Sequence, residues 1–312
     1  MTLAIADNRA RAVLFILSAI FFASSQDAIV KAMSGSYPVY ETVAIRCLTC
    51  LPILAIWLLR SGGLLSLRTP FWPRVLLRAL ILCSAYFAFI LSIASMPIAN
   101  MVAIYFTMPF FVAGLARPWL GEHVPAYRWI AIAAGFIGVL IMVRPGFQDF
   151  EPASLLALYS AFGYAVGQMM GRQLAHSVEP LVIANIQNAV YLGVAVITGL
   201  VAQLTGFSGE ADKTMAFLTR PFAWPTAADF ILMFGIGVLA SFAMVSFINA
   251  YRLAESNFVA AFEYSGMIWA VIYGALFFSD FPDLWTWSGM AVVVGAGMYM
   301  LARDRLGSIK NF

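Results

Sequence analysis

The sequence predicts an all-α integral membrane protein with ten transmembrane helices in two inverted five-helix repeats and both termini in the cytoplasm. Composition, the length of the apolar runs and a faint match between the two halves predict this fold. Of the 312 residues, 62% are hydrophobic and only 11% are charged, and the mean hydropathy is +0.89. Soluble domains do not have this composition. Because the links between the apolar runs are short, we expect no separate soluble domain.

The apolar runs have the length of membrane spans. Each contains about 20 residues, enough at about 1.5 Å per residue to cross a hydrocarbon core of about 30 Å. They are also too long and too uniformly apolar for the strands of a membrane β-barrel. The first run follows two arginines, as in a signal peptide, but we expect it to be retained as a span. The expected spans are 12–33, 38–59, 75–95, 98–118, 126–143, 153–174, 180–204, 226–250, 256–278 and 284–302.

The second half of the chain repeats the first without internal gaps. Moving residues 14–38 forward by 142 positions brings Gln26 onto Gln168. Moving residues 92–142 forward by 157 positions retains 7 identical residues, among them Asn100 on Asn257. Five spans per half is an odd number, so the two copies have opposite orientations, as in many secondary transporters.

The distribution of lysine and arginine predicts the orientation. Of the 18 such residues, 13 fall on the side of the N-terminus, 4 fall on the other side and Arg46 lies inside a span. Positive residues concentrate on the cytoplasmic side of inner-membrane proteins. We therefore expect a multi-pass protein with both termini in the cytoplasm, its first repeat in residues 1–148 and its second in 149–312. The net charge of +3 reflects this bias and gives no reason to expect nucleic acid.

Among the charged residues within the spans, the candidates for a site are Asp27, Glu41, Arg46 and Glu263. A charge at membrane depth costs several kcal/mol unless it is paired or hydrated, so each is a functional candidate. Arg46 and Glu263 both lie roughly 12 Å deep, from opposite faces. They either pair, directly or through water, or point separately into a polar cavity.

Neutral polar residues also lie inside the predicted spans. Gln26 and Gln168 are equivalent in the two repeats, so the two-fold axis places them on opposite sides of one central space. They either line a cavity or hydrogen-bond neighbouring helices together. By the same offset, the position equivalent to Arg46 is Asn188, so the two halves are alike in depth but different in charge.

The remaining candidates for the cavity wall are Tyr86, Tyr105, Ser246 and Trp269. Tyr86 and Trp269 are deep in their spans and carry a polar group on a large apolar ring. Such side chains either wall a pocket for an amphipathic solute or pack against other helices.

Two further patterns have structural interpretations. Gly163, Gly167 and Gly171 form one smooth stripe on the sixth span, which predicts close helix packing. Cys47 and Cys50 form a CxxC pair on a membrane helix with no second pair nearby, so we interpret them as small apolar fillers and expect neither a metal nor a cofactor.

Motifs for enzymatic chemistry are absent from the sequence. It contains no Walker A, HExxH or GxSxG motif, and its two histidines fall in predicted cytoplasmic loops. These absences argue against an ATP-driven pump of the Walker type and against a membrane enzyme or lipid-handling protein, so we do not expect an enzyme.

With these features the chain resembles the EamA-type transporters of the drug/metabolite superfamily, and among them most resembles the YddG-type amino-acid exporters. The resemblance implies a multi-pass protein of the bacterial inner membrane with a central cavity that opens alternately to either side. It also implies a neutral or zwitterionic solute such as an amino acid, because clustered cations for a phosphate are lacking. The resemblance is carried by the ten-span pattern and by Arg46, Pro97, Asn100, Leu120, Gly121, Glu122, Gly135 and Gly138.

The resulting expectation is a transporter that exports amino acids, aromatic and other neutral ones included, or related small metabolites. The alternative within transport is a broader drug/metabolite or nucleobase-type carrier. A proton-coupled exporter needs a titrating carboxylate, for which Asp27, Glu41 and Glu263 are the candidates. Facilitated diffusion needs none, and we favour it. The expected partners are the solute and membrane lipid, with the protein a monomer and a dimer as the alternative.

Overall fold

The computed structural model describes residues 2–61, 69–108, 110–112, 114–115, 126–143, 151–174, 177–205, 213–253 and 262–309. Within these ranges all regular structure is helical, as the composition predicts. The helices are α1 (Thr2–Met33), α2 (Val39–Ser61), α3 (Trp72–Ser95), α4 (Ile98–Tyr105), α5 (Ala126–Val143), α6 (Ala153–Leu174), α7 (Pro180–Thr205), α8 (Lys213–Thr219), α9 (Ala227–Leu253), α10 (Gly266–Phe278) and α11 (Leu284–Ile309).

Five of these helices are long and apolar enough to cross a membrane, namely those containing Ala10–Met33, Val39–Arg60, Trp72–Ser95, Pro180–Leu204 and Ala227–Phe247. Shorter apolar helical stretches cover Ile98–Val112, Trp129–Val143 and Gly266–Phe278. The bundle is therefore that of a membrane protein, while the count of ten spans and the side of the termini remain predictions.

Two expected spans contain a break in the helix. In the span expected at 98–118, α4 ends at Tyr105, and the Thr107 amide bonds to the carbonyl of Ile104 at 3.0 Å instead of four residues back. Pro109 follows in the sequence, and proline is unfavourable inside a helix because it has no amide hydrogen to donate. In the span expected at 256–278, α10 begins only at Gly266, after a turn at residues 264–265.

The helices pack in pairs around a central core. The main pairs are α1 with α9, α3 with α6, α2 with α7 and α5 with α11. Buried residues of α2, α3, α4 and α7 meet in one apolar cluster that includes Val43, Cys83, Met101 and Tyr191. The faces turned away from this core are apolar too, with Leu14 67% and Ile197 62% exposed, so they are suited to contact lipid.

The glycine stripe on α6 lies directly against α3, which confirms the predicted close packing. A Cβ added at Gly163 would lie 2.8 Å from the Cβ of Ala85, and one at Gly167 would overlap the side chain of Leu82. At Gly171 it would lie 3.3 Å from Nε of Arg78. The missing side chains let the backbones approach, and this approach brings α3 and α6 together beside the central cavity.

Candidate functional site

A cavity of about 280 Å³ lies between α1, α2, α3, α4, α6, α7 and α9, and Gly266 at the start of α10 closes one side. Its wall combines charged, aromatic and small polar side chains. The charged ones are Asp27, Arg46 and Glu263. The aromatic ones are Tyr86, Phe89, Tyr105, Phe106, Tyr164, Tyr191 and Phe247. Ser24, Ser160 and Gln187 add neutral polar groups.

Arg46 is held in this wall by two amides and a ring. Its Nε donates to Oε1 of Gln26 at 3.2 Å, and its Nη1 donates to Oδ1 of Asn188 at 3.3 Å. Its guanidinium carbon lies 4.8 Å from the ring centroid of Tyr86, in a cation–π contact. Since arginine remains protonated in proteins, these contacts keep a fixed positive charge beside the cavity.

The amide of Gln26 connects Arg46 to a carboxylate. Its oxygen accepts from Arg46, and its Nε2 donates to Oδ1 of Asp27 at 3.3 Å. Gln26 is buried, whereas Asp27 lines the cavity. The amide therefore separates the positive from the negative group, so each can face the cavity without forming an ion pair with the other.

The aromatic side chains form two groups on the wall. In the first, Tyr86 stacks on Tyr191, with ring centroids 5.2 Å apart and planes 20° apart. In the second, Tyr105 lies 5.3 Å from Phe89 and 5.7 Å from Tyr164, in tilted or edge-on contacts. These rings give the cavity broad apolar surfaces edged by hydroxyl groups.

A second arginine supports the wall from behind. Arg78 donates from Nη1 to Oε1 of Gln187 at 3.0 Å and from Nε to the carbonyl of Gly167 at 3.0 Å. Gln187 in turn donates to the hydroxyl of Tyr191 at 3.1 Å. The positive-inside count treats Arg78 as a charge of the cytoplasmic face, but the structure places it within α3 and directs it toward the cavity wall.

The other predicted residues take different places. Gln168 shares a hydrogen bond with the hydroxyl of Tyr164, so it holds a lining residue instead of lining the cavity itself. Ser246 is buried in α9 and Trp269 packs 5.0 Å from Phe21 and 5.6 Å from Tyr273, and neither lies on the cavity wall.

The predicted partners Arg46 and Glu263 lie on one cavity. Both residues line the cavity, as their similar depth predicts. Among the described residues, however, the side-chain hydrogen bonds of Arg46 go to Gln26, Asn188 and, weakly, Cys47. Pairing of Arg46 with Glu263, directly or through water, therefore stays a prediction.

Sequence reasoning missed Gln187, Tyr191 and the supporting Arg78. A signal for the first two was present, because Gln187, Asn188 and Tyr191 follow one another at spacings that place them on one side of a helix. For Arg78 there was none, because an arginine six residues into a helix is equally suited to reach the interface with lipid headgroups.

Polar contacts also close one end of the bundle, where α1 ends and α2 begins, which we call the α1–α2 end. Nζ of Lys31 lies 2.7 Å from Oδ2 of Asp280, donates to the carbonyl of Met96 at 3.0 Å and sits 4.9 Å from the ring centroid of Phe278. Asp280 reaches this position because Ser279, at φ 54°, ends α10 in the left-handed conformation. One lysine therefore joins α1, the α3–α4 link and the α10–α11 link.

A segment before α9, residues 220–226, lies across the same end, and we call it the strap. The hydroxyl of Tyr37 donates to Oδ2 of Asp229 at 2.6 Å, which raises the pKa of Tyr37 because the carboxylate favours the protonated phenol. Oε2 of Glu41 accepts from the backbone N–H of Ala223 at 3.3 Å. The strap is thus tied to α2, and Glu41 belongs to this closure and not to the cavity wall.

Comparison with known proteins shows what the chain is similar to. Residues 10–144 match the EamA-like transporter family. A riboflavin transporter of Rhizobium johnstonii is 28% identical over 79% of this chain and 76% of its own length. An S-adenosylmethionine uptake transporter of Rickettsia conorii is 20% identical over 93% of this chain and 92% of its own. A pseudopaline exporter of Pseudomonas aeruginosa is 26% identical over 95% and 97%.

A solved crystal structure supports the fold alone. It aligns over 95% of this chain and 99% of its own length with a TM-score of 0.65, at 18% identity.

Residues 10–144 are therefore similar to the EamA-like transporter family, and the named relatives are small-molecule transporters. The chain is a multi-pass protein of the bacterial inner membrane, and it is not an enzyme. The named relatives carry riboflavin, S-adenosylmethionine and pseudopaline, so they do not support the closer resemblance to amino-acid exporters.

Proposed function

We propose that the protein is a secondary transporter that exports amino acids, aromatic and other neutral ones included, or related small zwitterionic metabolites by alternating access. The single observation that carries this proposal is the cavity, in which a fixed cation and two carboxylates share one wall with broad aromatic surfaces. A solute with an ammonium group, a carboxylate and an apolar side chain complements each of these features.

The charges of the cavity are suited to a zwitterion. Arg46 can take a carboxylate, and Asp27 or Glu263 can take an ammonium, through charge-assisted hydrogen bonds that are stronger than neutral ones. The Gln26 amide keeps Asp27 and Arg46 from neutralising one another directly. A solute that offers both charges would gain from both groups, whereas an uncharged one would make no ion pair with either.

The size of the cavity favours a small solute. Its volume of about 280 Å³ lies at the lower limit of the roughly 300–1,000 Å³ that ligand pockets usually have. The aromatic rings around Tyr86 and Tyr105 can cover an apolar or aromatic side chain by stacking or edge contacts.

Alternating access rests on the two proposed repeats, residues 1–148 and 149–312. If the repeats are inverted copies, α1 corresponds to α6 and α9 corresponds to α3. The two-fold axis then relates the contact between α1 and α9 to the contact between α6 and α3. Both contacts are among the main helix pairs of the bundle, and α2 pairs with α7, its own counterpart. This correspondence supports a two-fold axis through the cavity, about which the halves can rock to open either side.

The test is transport in proteoliposomes. We expect the purified protein to exchange labelled phenylalanine or leucine against the same amino acid held inside, and Arg46→Gln to abolish this exchange. Tyr299→Phe, on the exposed part of α11, is the matched control and should exchange as the wild type does. Failure of every amino acid to exchange in active vesicles would refute the proposal.

A carrier of larger ring-containing metabolites is the second candidate. The stacked pair of Tyr86 and Tyr191 favours it, because such a pair can extend its stack onto a flat solute. Riboflavin and S-adenosylmethionine, the solutes named for the relatives, are the probes for this candidate in the same vesicles. Exchange of either one without exchange of amino acids would favour it.

A further inference from the structure

One hydroxyl on the cavity wall is buried without a partner. The Oη atom of Tyr86 has no hydrogen-bond partner among the described residues, although the side chain lines the cavity. Two other cavity tyrosines are satisfied, since Tyr191 bonds to Gln187 and Tyr164 bonds to Gln168. An unsatisfied buried hydroxyl destabilises the empty protein and calls for an explanation.

The position of this hydroxyl is fixed by the ring that carries it. Arg46 lies over the ring at 4.8 Å and Tyr191 stacks on it at 5.2 Å. A ring held by two such contacts cannot rotate freely to find another partner. The hydroxyl is therefore a donor fixed in place before a solute arrives, and pre-organised donors of this kind lower the cost of binding.

Arg46 has donor capacity in the same place. Its Nε and Nη1 are occupied by Gln26 and Asn188, whereas Nη2 has no hydrogen-bond partner within the described part of the chain. Because the guanidinium lies over the Tyr86 ring, Arg46 and Tyr86 belong to one part of the cavity wall. The combination of a cation and a neutral donor matches the two oxygens of a carboxylate.

We propose that Nη2 of Arg46 and the hydroxyl of Tyr86 form a carboxylate-binding subsite, in which Tyr86 distinguishes carboxylates from solutes that lack one. The inference rests on the proposed function and deepens it by assigning one end of the solute to a named pair of donors. The ammonium end then lies toward Asp27, which is separated from Arg46 by the Gln26 amide.

The test compares three solutes on two variants by calorimetric titration of the purified protein. Phenylalanine carries both charges, phenylacetate lacks the ammonium and phenylethylamine lacks the carboxylate. Tyr86→Phe retains the ring and removes only the hydroxyl. We expect it to weaken binding of phenylalanine and phenylacetate about tenfold, equivalent to about 1.4 kcal/mol, and to change binding of phenylethylamine less than about twofold. Tyr299→Phe should change none of the three.

A second variant covers the case in which Tyr86→Phe does not fold. Arg46→Lys keeps the charge but loses the planar donors, and it should show the same discrimination between the three solutes. Equal weakening of phenylalanine and phenylethylamine by either folded variant would overturn the subsite, because the group would then only support the wall. A wild type that binds neither phenylalanine nor phenylacetate would overturn it too.

The subsite and the transport proposal fail in different ways. Discrimination on phenylacetate by a protein that exchanges no amino acid would support the subsite and refute amino-acid transport. Exchange of phenylalanine with no discrimination by Tyr86→Phe would refute the subsite and leave the transport proposal standing.

Discussion

The ion pair between Lys31 and Asp280 offers a direct test of how the cavity is closed. Under the predicted orientation, the α1–α2 end faces the periplasm, and opening it must separate these two residues. Neutralising Asp280 by Asp280→Asn retains the size of the side chain and a neutral hydrogen-bond acceptor. We therefore expect this change to favour the state in which the cavity is open to the periplasm.

The magnitude follows from the exposure and the contacts of the pair. The side chains are 13% and 29% exposed, so the pair is neither fully buried nor free in solvent. Exposed ion pairs contribute roughly 0.2–1 kcal/mol, and hydrogen bonds that involve a charged group contribute about 1.5–3 kcal/mol. Because asparagine preserves part of the bond, we expect a loss of about 1 kcal/mol, which shifts the equilibrium about fivefold.

Labelling of a cysteine in the cavity measures this shift. Ser24 lines the cavity, so Ser24→Cys in a protein freed of its three native cysteines reports access from outside the cell to a membrane-impermeant maleimide. The labelling rate should rise about fivefold in Asp280→Asn and return toward the wild-type rate when Lys31→Asp is combined with Asp280→Lys. Arg303→Gln, at the other end of α11, should leave the rate unchanged. An unchanged rate in Asp280→Asn would refute the assigned role of the pair.

Three further predictions concern packing, the cavity and energy coupling. Gly163→Leu should lower the free energy of unfolding by about 1–3 kcal/mol, measured by thermal unfolding in detergent. Gly193→Leu is the control and should not lower it, because an added Cβ there meets nothing within 4 Å. Equal losses in the two variants would contradict the packing of α6 on α3. Asn188→Asp places a carboxylate beside Arg46 that competes with the carboxylate of the solute. We therefore expect the rate of amino-acid exchange to fall more than about tenfold. Exchange at the wild-type rate would argue against Arg46 as the anion site. Flux by facilitated diffusion should be the same with and without an imposed pH gradient, and flux that strictly follows the gradient would require a coupling carboxylate.

Much of the fold can be predicted from hydropathy and length. The spans expected at 153–174 and 180–204 agree with α6 and α7 to within one residue. Uniformly apolar runs leave a helix as the only way to satisfy every backbone group in lipid. The prediction was least accurate where the helix breaks, after Tyr105 and before Gly266, because hydropathy is insensitive to an interruption that leaves the composition apolar.

The site could be predicted only in part, because sequence gives depth but not direction. Arg46 and Glu263 line one cavity, as their depth along the helices predicts. Which neighbour each contacts depends on the rotation of its helix, and that rotation is fixed by packing such as the approach of α6 to α3. Trp269 illustrates the same point, since it has the right depth but turns toward Phe21 and Tyr273 instead of the cavity.

The contact between Arg46 and Asn188 explains why the proposed repeats must differ at their centre. These residues are equivalent by the offset of 142 positions, and their side chains meet at 3.3 Å, as equivalent residues near a two-fold axis do. Two arginines meeting there would repel one another in a region of low dielectric constant, and two asparagines would offer no charge to an anion. One arginine held by one asparagine gives a single cation with a neutral support. If the two halves are inverted copies, the loss of symmetry at this pair would allow them to bind one solute in one orientation.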